Sequence, residues 1–368
     1  MKRTVLGWIL IVLGLVLAAL LLLRRYPGLP AGLWEAPAAT EPQEENPAAP
    51  TPASVAEKTP APTLPPTPEP TPTPRPLLAP ELCDGSIDPA FFAPSAEPGT
   101  LCRDVTYTTR DSVDGREGEF LTRMQVYLPY GYDENGRYDV LFLLHVRQSN
   151  ERFWLEQDHA YDAPWEGTAT VSAVNVLDNL IERGLCRPML VIALDGYLDE
   201  AARWAHRSEQ VYPQFAEEFG RDILPFVAAQ YATWAEGTER EQLRAAREHF
   251  GVLGASFGAY QTELSVLAPN LDLVSWYAMT GGGSVSYDYL YPQWSAYGTA
   301  GYPIDLVYFV EGEYDDIQPV ESSYQALGNW TEVFTRDENL RFTRVIAAGH
   351  EQREWVNALF NTAQLFFR

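Results

Sequence analysis

The chain has 368 residues, a formal charge of −24, and a composition of 46% hydrophobic and 21% charged residues. That acidity opposes encounter with nucleic acid and with anionic lipid surfaces, since long-range repulsion works against both, and no nucleic-acid partner is expected. With three cysteines, five histidines and no ligand spacing among them, no metal or cofactor site is expected either.

Residues 4–23 carry no charge and are long enough to cross a hydrocarbon core as a helix, with Lys2 and Arg3 before them and Arg24 and Arg25 after. A signal peptide has a shorter apolar stretch with small residues at a cleavage site, whereas Arg24-Arg25-Tyr26-Pro27 follows here. Residues 1–26 are therefore read as an uncleaved membrane anchor, with secretion after cleavage as the alternative. Residues 27–80 read as a disordered Pro/Thr/Ala-rich linker. Fifteen of the 29 prolines fall between positions 37 and 80, and Thr67-Pro68-Glu69-Pro70-Thr71-Pro72-Thr73-Pro74 is of low complexity. Such a stretch buries too little apolar surface to fold and samples extended conformations, reaching roughly 130 Å at about 3.1 Å per residue. A stalk behind an anchor suits a domain displayed outside the cytoplasm. Up to Arg75, six basic residues balance six acidic ones, so the negative charge falls on the remainder.

Residues 81–368 read as one α/β domain. Cys83 and Cys102 bracket a short loop at its start and are either a disulfide or two thiols, while Cys186 precedes an apolar strand and reads as a buried thiol. Strands are expected at 125–128 and 140–144. A helix follows within 171–184, where Val174, Leu177 and Ile181 recur at helical spacing and Gly184 is the stop. Residues 189–194 are continuously apolar, the pattern of a strand buried on both faces. Next comes a long helix with Phe215, Phe219, Ile223 and Val227 on one face and a kink at Pro225. Beyond it are a strand at 250–254, a helix from Phe257, and strands at 271–279 and 306–310. A helix near Gln325, a strand at 342–346 and a terminal helix from Glu351 complete the order. Strand–helix alternation of this kind builds a mostly parallel sheet with helices on both faces.

Gly254-Ala255-Ser256-Phe257-Gly258 is a G-x-S-x-G sequence between an expected strand and an expected helix. The glycines permit a tight turn that exposes the serine hydroxyl at the helix N-terminus. A serine hydroxyl needs a base to take its proton. In a strand–turn–helix site of this kind the chain order is serine, acid, histidine, and only His350 follows Ser256. The acid, which orients the imidazole, should end the preceding strand, where Glu311, Glu313, Asp315 and Asp316 all stand. Spacing does not choose among them.

Several segments together resemble the esterase family of α/β-hydrolases that includes feruloyl and acetyl-xylan esterases, S-formylglutathione hydrolases and bacterial mycolyltransferases. They are Val126-Tyr127-Leu128-Pro129-Tyr130-Gly131-Tyr132 with Tyr138 to His145, which is similar to the opening strand pair, then Pro188 to Gly196, Ile223-Leu224-Pro225-Phe226, and the serine motif. Gly312-Glu313-Tyr314-Asp315 is similar to the family's G-x-x-D segment, which nominates Asp315 as the acid, and Gly349-His350 with Trp355 is similar to its terminal segment. The resemblance runs from about Val105 to the C-terminus and implies an α/β-hydrolase fold with Ser256, Asp315 and His350 as a catalytic triad. One departure stands out. Where the family has glycines after His145, this chain has Val146-Arg147-Gln148. If the oxyanion hole is retained, its donors are the backbone N–H groups of Phe257 and Arg147, and Val146 fits poorly at a position requiring positive φ.

Two groups of aromatics follow strands at the edge where ligands bind in such sheets, one containing Trp154 and the other Tyr287 and Trp294. They are candidates to stack on substrate, the alternative being that they pack on one another. The expected activity is serine carboxylic-ester hydrolysis through an acyl-enzyme, on a small-molecule or acylated-carbohydrate ester outside the cytoplasm. Alternatives are an acyltransferase with the same triad and a weakly active or inactive surface binding module.

Overall fold

The computed structural model describes residues 76–156, 159–163, 167–283, 287–297, 301–317 and 319–368. The expected anchor and nearly all of the linker lie outside them. Among the described residues no helix is long and apolar enough to cross a membrane.

The strands in chain order are β1 (Thr100–Thr109), β2 (Phe120–Leu128), β3 (Asp139–Leu144), β4 (His159–Ala163), β5 (Gly167–Val171), β6 (Met189–Leu194), β7 (Phe250–Ala255), β8 (Trp276–Thr280), β9 (Leu306–Gly312) and β10 (Leu340–Val345). β4 and β5 pair only with each other; the remaining eight form one sheet in the order β1-β2-β6-β3-β7-β8-β9-β10. β1, β2 and β6 pair antiparallel, and from β6 to β10 every pairing is parallel. Every residue of β3, β6 and β7 is buried, which is why these strands, apart from Asp139 at the start of β3, read as apolar runs.

One face of the sheet packs against the helices Ala173–Glu182 and Gln352–Leu365. The other packs against the helical run from Ser208 to Gln230 and the helix starting at Phe257. Helices on both faces of a mostly parallel sheet are the expected architecture. Because the strands from β6 to β10 are parallel, the loops after β7, β9 and β10 leave from the same edge.

The terminal helix is buried almost all round, although it carries Asn357, Asn361 and Gln364. The chain around 81–92 covers its outer side. Asn361 Nδ2 donates to the Cys83 carbonyl and Gln364 Oε1 accepts from the Glu81 N–H, while Phe91 meets Phe360 edge-on at 4.9 Å. Further out, Leu78 donates its N–H to the Gly184 carbonyl, with Gly184 at φ 71° closing the helix as expected.

Four sequence expectations shift. β1 went unread because only Tyr107 and Thr109 of its ten residues are buried and a bulge interrupts it between Cys102 and Val105. The segment 271–279 is not one strand: Leu271, Leu273 and Val274 lie buried in a turn, closed by the Leu273 N–H to Asn270 carbonyl bond, and β8 begins only at Trp276. In the long helix, Phe215, Phe219, Ile223 and Val227 are buried as expected, but Pro225 is accommodated by a π-helical turn, Phe219–Ile223, immediately before it. A wide turn there absorbs the missing donor. Finally, the disulfide alternative fails. Cys83 packs on one face of the sheet and Cys102 on the other, so both are thiols. Cys186 is buried, and burial pushes its thiol up to about 12.

Candidate active site

Ser256 stands between β7 and the helix Phe257–Gln261 with φ 54° and ψ −113°, a conformation costly for a residue with a side chain, of order 1–3 kcal/mol. The surroundings impose it. The Ser256 N–H donates to the Thr280 carbonyl on neighbouring β8 at 2.8 Å. The two flanking glycines are required sterically: a Cβ on Gly254 would strike the Gly258 carbonyl, and one on Gly258 would strike the Leu144 carbonyl at the end of β3. The first turn of the helix is thus seated directly on β3, and Ser256 is pushed out over the strand edge.

The His350 ring lies beside the hydroxyl, with Nε2 3.0 Å from Ser256 Oγ. Its Nδ1 is 2.9 Å from Asp315 Oδ2. Ninety-four residues separate the serine from the histidine in sequence, and the loops after β9 and β10 close that gap by being stapled together. Glu313 donates its N–H to the Val345 carbonyl, Tyr314 donates to the Ala348 carbonyl, and the Glu313 carboxylate accepts from the Ala347 N–H. Trp355 then sets its ring edge-on to His350 at 5.8 Å.

The geometry also selects among the four carboxylates. Asp315 is buried, with Oδ1 accepting from the Ile317 N–H and Oδ2 turned to the imidazole. Glu311 instead accepts from the N–H groups of Val320 and Glu321 and pairs with Arg344. Glu313 serves the loop, and Asp316 is exposed. Of the other histidines, His145 is buried with its ring nitrogens against the carbonyls of Val146 and Asp195, and burial lowers its pKa. His249 is held by Asp139, and His206 meets the Tyr197 hydroxyl at 3.1 Å. The His159 side chain lies outside the described set.

Chemically, the chain Ser256–His350–Asp315 can pass the hydroxyl proton to Nε2 as the oxygen attacks a carbonyl carbon, while the carboxylate faces the developing imidazolium.

The loop after β3 answers the sequence departure. Neither Val146 nor Arg147 takes a positive φ; the left-handed residue is Gln148, at φ 58°. Its N–H donates to the Tyr197 hydroxyl at 3.1 Å. Tyr197 also stacks on Phe257 at 5.4 Å with rings 7° from parallel, so one side chain braces both the loop and the residue after the serine. As the first residue of its helix, Phe257 has no intrahelical carbonyl for its N–H.

Two expected substrate contacts are overturned. Trp154 is 1% exposed and donates its indole N–H to the Leu144 carbonyl, and Trp294 is 0% exposed and donates to the Leu267 carbonyl. Both are core residues whose polar atom is satisfied internally. Tyr287 begins the helix Tyr287–Tyr297, and its side chain lies outside the described set. The exposed rings nearest the triad in sequence are Tyr314, next to Asp315, and Tyr291, on the helix Tyr287–Tyr297.

One residue at the site escaped the sequence entirely. Glu354 is 0% exposed, and its Oε1 accepts from the Thr280 hydroxyl at 2.6 Å. Ligand atoms of Asp315, His350 and Glu354 lie within 4.8 Å of one another. Burial pushes the Glu354 carboxyl up to about 9, with the charge of Asp315 adding to the effect. The available signal was an acid on an otherwise apolar stretch of helix, Glu354-Trp355-Val356, four residues after His350.

Compared with known protein families, the chain matches none of their models. Its sequence is 28% identical over 193 residues to endo-1,4-beta-xylanase Y of Acetivibrio thermocellus, covering 52% of this chain and 15% of that protein. The chain thus spans less than a sixth of that relative's length. Among solved structures it is similar to the feruloyl esterase module from Clostridium thermocellum, a serine-to-alanine variant complexed with sinapinate. The TM-score is 0.60 at 21% identity, with 79% of this chain and 96% of that one covered. It is also similar to a ferulic acid esterase from the anaerobic fungus Anaeromyces mucronatus, with a TM-score of 0.56 at 20% identity, covering 78% and 98%. The chain has the fold of these esterases.

Proposed function

We propose that this protein is a serine carboxylic-ester hydrolase acting on acylated carbohydrate. The observation that carries the reading is the hydrogen-bonded line from Ser256 Oγ through His350 to Asp315, at 3.0 and 2.9 Å, with the serine held at positive φ. In this reading Ser256 attacks the ester carbonyl and His350 accepts its proton. His350 then returns the proton to the departing alcohol, leaving an acyl-enzyme that water hydrolyses by the same path in reverse roles. Asp315 stays ionised throughout. The N–H groups of Phe257 and Arg147 are the donors to the oxyanion; the seating of Gly258 on β3 supports them by bringing the helix start against the loop after β3. The sugar-ester substrate is supported by the likeness to feruloyl esterases in fold and to a xylanase in sequence.

Ser256→Ala in the full chain should lower turnover of an activated aryl acetate by at least about 10³-fold, leaving the melting temperature little changed. Unchanged turnover would remove Ser256 from the mechanism. A panel of acetylated and feruloylated xylo-oligosaccharides then separates the acyl groups.

The domain is, in the same proposal, displayed outside the cytoplasm on an N-terminal anchor and stalk. The uncharged run 4–23 and the proline-rich tract behind it support this.

A further inference from the structure

Asp315 already receives two donors, Nδ1–H of His350 and the backbone N–H of Ile317. A third group, Glu354, is buried beside the same carboxylate, with a carboxyl oxygen within 4.8 Å of one of Asp315. Two buried ionised carboxyls this close repel each other and are poorly solvated, so one of them carries a proton. Asp315, held by donors, is the anion, so the proton resides on Glu354. Glu354 Oε1 accepts from the Thr280 hydroxyl, whereas Oε2 is buried without a hydrogen-bond partner, so a full negative charge there would go uncompensated. Thr280 and Gly281 face Glu354 from the end of β8, Gly312 and Asp315 from the end of β9 and its loop, and His350 from the loop after β10. Only Asp315 and His350 among these titrate, and among the described residues no cation pairs with the acid.

We propose that Glu354 is a positioning residue, a neutral carboxylic acid that donates a hydrogen bond to Asp315 and so fixes the carboxylate where it engages Nδ1–H of His350. The proposal rests on the reading of Ser256, His350 and Asp315 as the catalytic groups. During acylation the serine proton moves to Nε2 and returns to the leaving alcohol, and the Glu354 proton stays where it is. A neutral acid supplies a donor without adding a second negative charge beside the imidazole, whereas an ionised one would repel Asp315 and withdraw the donor.

The sign of the pH dependence follows. Below about 9 Glu354 keeps its proton and the clamp holds. Above it, the clamp is lost and kcat should fall on an alkaline limb of the profile. Glu354→Gln keeps a neutral donor of the same shape, so it should retain kcat within about threefold at pH 7 and abolish the alkaline limb. Glu354→Leu removes the donor and should lower kcat tenfold or more with KM little changed, the cost of a lost hydrogen bond to a charged group. All variants are made in the full chain and assayed on the activated aryl acetate, with the Ser256→Ala rate subtracted at each pH. An alkaline limb that persists unchanged in Glu354→Gln overturns the proposal, as does a Glu354→Leu protein with wild-type kcat. If the leucine variant does not fold, the Gln profile alone decides. Asp315→Asn in parallel keeps the two claims apart: undiminished turnover there removes the catalytic reading itself, while loss there with an unaltered Gln profile removes only the role of Glu354.

Discussion

At the scale of single residues, the site divides into what chemistry made conspicuous and what burial concealed. Ser256 and His350 were legible because a nucleophile in a G-x-S-x-G turn needs a base, and only one histidine follows it. Asp315 was legible only through resemblance, since four carboxylates share its loop and nothing local ranks them. Hydrogen bonding ranks them in space: Glu311 and Glu313 are committed to backbone N–H groups, and Asp315 is the one facing the imidazole. Trp154 and Trp294 misled because an aromatic beside a strand end looks the same whether its ring faces a ligand or the core. Their indole N–H bonds to Leu144 and Leu267 decide for the core. Trp154→Ala should therefore cost roughly 3–5 kcal/mol in urea unfolding. KM for the ester should stay near wild type in whatever fraction remains folded. A raised KM without loss of stability would return Trp154 to the substrate site.

At the scale of elements, the long helix beside β1 carries a cost that varies with pH. Glu218, at its inner face, is buried and accepts from the Tyr107 hydroxyl at 2.6 Å, tying the helix to the edge strand. Burial, with repulsion from Asp222 and Asp195, raises its carboxyl from 4.5 to about 7. A group whose folded pKa lies above its unfolded one favours the folded state fully at low pH. That advantage declines as pH climbs from about 4.5 to about 7 and is gone above it, at about 1.4 kcal/mol per pH unit in the steep part. Glu218→Gln should flatten the wild-type decline in melting temperature across that window, with the two curves parallel above about pH 7. Curves that run parallel throughout would mean Glu218 does not hold its proton in the fold. The same sign applies to Glu354 over a wider window, up to about 9. The loop after β3 shows another element-level effect: its left-handed turn sits one or two residues later than a glycine pattern suggests, at Gln148, because the Tyr197 hydroxyl holds it there.

At the scale of the whole molecule, the acidic folded unit and the N-terminal segment are read as a tethered display. If residues 4–23 anchor the chain, the full-length protein made in cells should stay with the membrane fraction through a carbonate wash. A membrane-impermeant serine-reactive phosphonate should label it on intact cells. Labelling only after lysis would place the site on the other side of the membrane. The fold class was legible in the sequence because parallel strands buried on both faces are apolar over nearly all their length, as β6, β7 and β3 beyond Asp139 are. So was the serine, because its turn demands glycine two residues away on either side. What only the tertiary structure decided are the properties set by which face or neighbour a residue meets. These include the separation of Cys83 from Cys102 by the sheet, the core position of two tryptophans, the choice of Asp315, and the carboxyl of Glu354 behind it. Local pattern records whether a side chain is apolar or charged. The partner it finds depends on loops that leave strands far apart in the chain, and that information exists only once the sheet has formed.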